Sequence, residues 1–113
     1  MTEDTLAILK KARELLSREG AWTQKAYARD AKGFPCFATE HCAESWCSFG
    51  AIQAAAQSLA SPTIVDAMEA LQEATGASFV SQWNDHPQRQ VGSVRRAFDK
   101  AIKKLEEEGT ENK

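Results

Sequence analysis

Ser45-Trp46-Cys47-Ser48-Phe49-Gly50-Ala51-Ile52 constrains this chain more than any other stretch, because it sets large aromatic residues directly beside glycine and alanine. Continued by Ala54, Ala55 and Ala56, it reads as a central helix from about Ser45 to Leu59. Trp46, Cys47, Gly50, Ala51, Ala54, Ala55 and Leu59 form its inward stripe, small enough over most of its length for neighbours to approach closely. The rest of the chain is expected to pack around it, with Trp46 in the core. A thiol in the first turn of such a helix feels the positive end of the helix dipole, which favours thiolate, whereas burial favours thiol. Cys47 is therefore the first residue to weigh for chemistry.

The 113 residues, 42% hydrophobic and 27% charged, have the proportions of a globular chain. That length buries roughly two-thirds of the unfolded surface without disulfide or metal staples. One domain over residues 1–109 with a frayed tail over 110–113 is the expectation. Fourteen basic against sixteen acidic side chains give a net charge of -2, so the molecule as a whole does not attract polyanions. Three cysteines in no secreted-framework spacing read as reduced thiols of a cytoplasmic compartment. Met1-Thr2-Glu3-Asp4 is acidic where a signal peptide is basic, and no apolar run reaches membrane-spanning length.

Leu6, Leu9 and Leu16 with Ile8, Ala12 and Leu15 recur at helical spacing and predict a first helix over 2–19, capped by Thr2 or Thr5 and stopped by Gly20. The segment from Ala21 to Glu44 has no clean period. Asp30-Ala31-Lys32-Gly33 is a turn signal, and a short hairpin pairing Lys25–Arg29 with Phe34–Phe37 is expected around it. Ser61-Pro62 closes the central helix and opens a third, which carries Val65, Met68, Leu71 and Ala74 on one face and ends at Gly76. Ser78 to Trp83 is a brief apolar piece, one helical turn, before the Asn84-Asp85-His86-Pro87 turn. A last helix over about 90–107 carries Val91, Val94, Ala97, Phe98, Ala101, Ile102 and Leu105, with Gly109 as its stop. The fold class is thus mainly α: about four helices, with an irregular or short β-hairpin segment between the first two.

Trp22-Thr23, Tyr27-Ala28-Arg29-Asp30 with Gly33, Trp46-Cys47 with Gly50-Ala51, and Trp83-Asn84-Asp85 before a last helix together form a pattern running from Trp22 to Ile102. It resembles a family of small uncharacterised bacterial and phage proteins. The resemblance carries over a pattern and no mechanism, and it implies a phage or mobile-element association and a host-facing role. Where such sequences tend to place threonine before the last helix, this chain has Gln90.

Four chemistries can be weighed. Cys47 as nucleophile with His86 as base, oriented by Asn84 or Asp85, would make a minimal cysteine-dependent enzyme acting on an acyl or amide bond. Its competitor is a small buried cysteine and an exposed turn histidine. Cys36, His41, Cys42 and Cys47, joined by His86, are metal-ligand types, but no cysteine pair has the two-residue spacing of a zinc knuckle, so no metal and no cofactor is expected. Arg89, Arg95, Arg96, Lys100, Lys103 and Lys104 make the last helix locally basic, yet Glu106-Glu107-Glu108 follows and no nucleic-acid reading motif is present, so a solvated face is the better reading. Protein binding ranks first. Trp22, Tyr27, Arg29 and Trp83 are the residue types that anchor interfaces, and the expectation is a non-catalytic interaction or regulatory module with an unidentified protein partner. Stripes containing Met68, Phe98 and Ile102 are also compatible with a homodimer.

Overall fold

The computed structural model describes residues 2–111, with side chains described over residues 3–108. Five helices and one small sheet follow in the order α1 (Thr2–Leu15), β1 (Ala28–Asp30), β2 (Pro35–Cys36), β3 (Ala43–Trp46), α2 (Ser48–Ala56), α3 (Pro62–Thr75), α4 (Val80–Asn84) and α5 (Val91–Glu111). The chain is mainly α; beyond the four main helices and the hairpin expected, the short apolar piece forms a helix of its own, α4, and β3 adds a second strand pairing on β1.

Leu9 and Ala12 of α1, with Leu16 just past its end, share one fully buried face, and α1 packs against α2, α3 and α5. Helix α1 ends at Leu15, four residues short of the predicted 19, because the bonding tightens: Ser17 N–H turns to the Glu14 carbonyl at 3.0 Å while Ser17 Oγ donates to the Arg13 carbonyl at 3.0 Å. Gly20 then takes the left-handed conformation expected of it, at φ +78°. Thr2 and Thr5 both lie inside α1, and the cap position before it falls outside the described residues.

The central element is the main correction. Residues 43–46 are strand, and α2 starts at Ser48. The Trp46 main chain is bonded along one edge of the strand to the segment before β1, in a parallel bridge with Trp22: its N–H donates to the Ala21 carbonyl at 2.7 Å, and its carbonyl accepts from Thr23 N–H at 3.0 Å. Pairing Ala28↔Trp46, Arg29↔Ser45 and Asp30↔Ala43 sets β3 antiparallel to β1, and β2 lies on β1's other edge through Ala28↔Cys36 and Arg29↔Pro35. Trp46 is buried as expected, but from a strand, with its indole N–H on the Ala38 carbonyl at 3.2 Å. The hairpin exists in a shorter form than predicted, its turn closed by Asp30 Oδ1, which accepts from Lys32 and Phe34 N–H at 2.9 and 3.0 Å.

Helix α2 stops at Ala56, where Gln57 adopts φ +53° and the pair Ser58 N–H to Gln53 carbonyl and Gln57 N–H to Ala54 carbonyl forms a Schellman closure. Leu59, placed in the inward stripe by periodicity, lies beyond this stop and is exposed. Helix α3 matches its local signals: Ser61 Oγ accepts from Ile64 N–H at 3.2 Å, Pro62 is its first residue, and Gly76 ends it at φ +73°. Its buried residues are Ile64, Ala67 and Leu71, with Val65 exposed, so the inward face is turned by one position from the predicted one. Helix α5 supplies Val94, Ala97, Phe98 and Ala101 to the core and continues through Gly109 to Glu111. One glycine costs a helix only about 1 kcal/mol and is not by itself a stop. Its start lacks a threonine cap. Instead the Gln90 carbonyl accepts from Ser93 and Val94 N–H at 3.0 and 3.3 Å.

Candidate functional site

The sheet sits over the N-terminal end of α2, with α4 alongside, and between them lies an open hollow of about 670 Å³. Cys47 and Asp85 line its floor, and Tyr27, Pro35 and Phe37 its apolar wall.

Asn84, fully buried, holds this region together. Its Oδ1 accepts from Trp22 Nε1 at 2.8 Å, Ser48 N–H at 3.0 Å and Ser48 Oγ at 2.7 Å. Its Nδ2 donates to the Thr23 carbonyl at 3.1 Å and to Asp85 Oδ1 at 3.0 Å. Because an indole N–H can only donate, Trp22 fixes which end of the amide faces it. One side chain therefore joins α4, the segment before β1 and the first turn of α2. Gln24 adds to the tie by donating to the Asn84 and His86 carbonyls at 2.9 and 2.8 Å. Asp85 Oδ1 also accepts from Lys25 N–H at 2.8 Å, securing a residue held at φ +67°.

Cys47 caps α2. Its Sγ accepts the Gly50 N–H at 3.2 Å, the role a serine or aspartate oxygen more often fills. Burial pushes the thiol pKa up, against the backbone N–H groups of Gly50 and Phe49 that pull it down, so desolvation outweighs the helix terminus and Cys47 stays protonated at neutral pH. Gly50 is required by close approach: a Cβ there would meet the Tyr27 carbonyl oxygen at 1.8 Å, the same carbonyl that accepts Cys47 N–H at 3.1 Å.

Among the described residues no hydrogen bond joins Cys47 to His86. The histidine is exposed on the turn after α4, where its Nδ1 accepts the Gln88 N–H at 3.1 Å. Asn84 and Asp85 are bonded within the Trp22–Lys25 segment. Arg29 is likewise engaged, donating to Thr23 Oγ1 at 2.9 Å and to the Gly33 and Gln24 carbonyls at 3.0 and 3.1 Å. Trp22 and Trp83 are half-buried against the core, and the Arg89 guanidinium lies over the Trp83 ring at 4.0 Å. Of the four predicted contact residues Tyr27 is exposed (51%), and the other exposed aromatics are Phe34 (63%) and Phe37 (59%), with Phe79 on a separate turn. Of the metal-ligand types, Cys36 and Cys42 converge, together with Glu40. The basic residues of α5 are partly paired: Arg95 donates to the Leu16 carbonyl at 2.8 Å and Lys104 binds Glu73 at 2.6 Å.

A family model matches residues 1–104 of the chain. The chain belongs to DUF6197, a family of unknown function. No curated protein and no solved structure matches it. The match spans the Trp22-Thr23, Trp46-Cys47 and Trp83-Asn84-Asp85 motifs, and three of these residues, Trp22, Asn84 and Asp85, belong to the buried tie beneath the hollow. Reading the sequence missed Ser48, Gln24 and Gly50 as parts of this arrangement. Gly50 carried a visible signal, a glycine one turn into a helix beside aromatics; Ser48 and Gln24 carried none, because their partners lie 36 and 60 or more residues away. No helix among the described residues is long and apolar enough to cross a membrane.

Proposed function

We propose that the protein is a non-catalytic interaction module and that the hollow walled by Tyr27 and Phe37 receives an apolar side chain of a protein partner. The observation that carries this reading is the exposure of Tyr27, Phe34 and Phe37 on one short hairpin segment whose base is locked by Asn84 and Arg29. Three aromatics left about half exposed present roughly 300 Å² of apolar surface, worth about 7 kcal/mol gross if covered. Association itself costs about 4–15 kcal/mol, so these aromatics alone support only a weak, exchangeable contact, and a micromolar partner, which needs about 8 kcal/mol net, must draw further contacts from the hollow. Lys25 and Asp85 at the edge and floor supply the polar contacts that fix orientation. Free thiols at Cys36, Cys42 and Cys47 support a reducing, cytoplasmic setting for one domain over residues 1–109, and a role toward a host, in phage or mobile elements, rests on the pattern resemblance.

The competing reading is a cysteine-dependent hydrolase, favoured only by Cys47 bordering the hollow beside Asp85. Cys47→Ser separates the two, since serine keeps the helix cap: an interaction module retains fold and binding, whereas an enzyme loses turnover. To test binding, peptides selected from a display library against the intact protein are measured against Tyr27→Ser and Phe37→Ser. Anchor residues contribute about 2 kcal/mol or more, roughly thirtyfold in Kd. Selected peptides whose affinity neither variant changes would overturn the proposal.

A further inference from the structure

Cys36, Glu40 and Cys42 bring two sulfur atoms and a carboxylate oxygen to within 4.8 Å of one another. The backbone produces this convergence. Cys36 ends β2 opposite Ala28, and Cys42 directly precedes β3, which begins at Ala43 opposite Asp30. Since β2 and β3 flank β1 on opposite edges, the residues from Phe37 to Cys42 must recross it. They do so in two successive tight turns, with Glu40 N–H on the Phe37 carbonyl and Ala43 N–H on the Glu40 carbonyl, both at 3.1 Å. Ala38 is buried inside the crossing, its carbonyl accepting the Trp46 indole N–H. The three donor groups thus stand on a loop tied to the sheet at both ends and to the core in its middle.

Two thiols and a carboxylate at one point need a positive charge or a shared proton. Here Cys42 Sγ donates to Glu40 Oε2 at 3.3 Å. A divalent cation replaces the two thiol protons and offsets two of the three negative charges that two thiolates and a carboxylate then carry. Sulfur with carboxylate oxygen is a zinc donor set, and bonds of about 2.3 Å to sulfur and about 2.1 Å to oxygen put tetrahedral donors roughly 3.5–3.8 Å apart, a spacing these side chains reach by rotation. Calcium and magnesium, which take six or more oxygens, do not match it.

We propose that Cys36, Glu40 and Cys42 form a binding site for Zn²⁺, or a cation of the same thiophilic class, at the rim of the hollow. Cys36 and Cys42 each release one proton as their sulfur bonds the ion, Glu40 binds as the carboxylate, and a fourth tetrahedral position is left to solvent. The proposal does not rest on what the hollow receives, although Cys36 and Glu40 also line it.

The test is titration of the intact, reduced protein with Co²⁺ as the probe, followed by Zn²⁺. One equivalent of Co²⁺ should raise a thiolate-to-cobalt charge-transfer band, which Zn²⁺ then bleaches. Outer-shell substitutions typically lower metal affinity about 10–100-fold; Glu40→Gln should weaken Co²⁺ binding by at least that much with the band retained, and Cys42→Ala, at an exposed position, should abolish the band. Cys47→Ser should leave band and stoichiometry unchanged. Absence of the band in the reduced protein overturns the proposal, as does a band that survives Cys42→Ala or disappears with Cys47→Ser.

Discussion

Replacing Asn84 tests whether one amide holds the base of the hollow. Asn84→Ala removes the acceptor of Trp22 Nε1, Ser48 N–H and Ser48 Oγ, and the donor to the Thr23 carbonyl. Trp22 is half-buried and recovers part of its loss from water, but Ser48 is buried, and its N–H sits at the first residue of α2 with no other side chain bonded to it. Each buried group left unpaired costs about 1–3 kcal/mol, so two such groups and the lost packing give about 3–5 kcal/mol. That is a large part of the roughly 5–15 kcal/mol that a chain of this size has in total. Asn84→Asp sharpens the test because it preserves the shape. It keeps Oδ1 for its three donors but turns an oxygen toward the Thr23 carbonyl and Asp85 Oδ1, where only a donor fits. The buried carboxyl is then favoured protonated, so its folded-state pKa lies above the unfolded one. Stability is accordingly retained below the unfolded pKa and lost as pH rises through the folded value. Urea unfolding of both variants at pH 4 and pH 8 reads the outcome. Asn84→Asp should approach the parent at the lower pH and fall to the level of Asn84→Ala at the higher. A cost below about 1 kcal/mol for Asn84→Ala, or no pH dependence for Asn84→Asp, would refute the tie.

Gly50→Ala should destabilise by about 3 kcal/mol or more, because overpacking against the Tyr27 carbonyl is added to disruption of its bond from Cys47. Gly92→Ala, where the added Cβ meets only the end of the Arg96 side chain at 3.3 Å, should stabilise α5 by about 0.5–1 kcal/mol; urea midpoints check both. Iodoacetamide labelling read by peptide mass should leave Cys47 protected in the native protein, while Cys42 labels with a midpoint near 11 rather than at its ordinary value of 9.0. Both thiols are raised in the folded state, so their contribution is complete below the ordinary thiol pKa and falls as pH climbs through the folded values, and urea midpoints should drop above pH 9. Gln57→Gly, which relieves a left-handed non-glycine residue at the end of α2, should stabilise by about 1 kcal/mol in the same assay.

What the sequence made legible were the features whose causes lie within a few residues. Ser61, Pro62 and Gly76 delimit α3 through bonds to their own neighbours, and the Asp30–Gly33 turn closes through Asp30 itself. The start of α2 was misplaced because Trp46 fits the apolar period of the helix that follows, whereas its conformation is decided by Ala21, Thr23 and Ala28, 18 to 25 residues earlier. The surroundings of the motif residues Trp22 and Arg29 were equally hidden. Their exposure depends on Asn84 and on the Thr23–Gln24 backbone, partners that no local pattern reveals. The Cys36–Cys42 approach was hidden in spacing as well, since it is produced by a crossing over β1 and not by a knuckle.

The most direct measurement is an amide-resolved NMR titration of the intact protein with a display-selected peptide. If the hollow is the binding surface, shifts concentrate at residues 25–27, 35–40 and 81–85, and Phe37→Ser removes them. Shifts confined to the α3–α5 face, unchanged by Phe37→Ser, would contradict it.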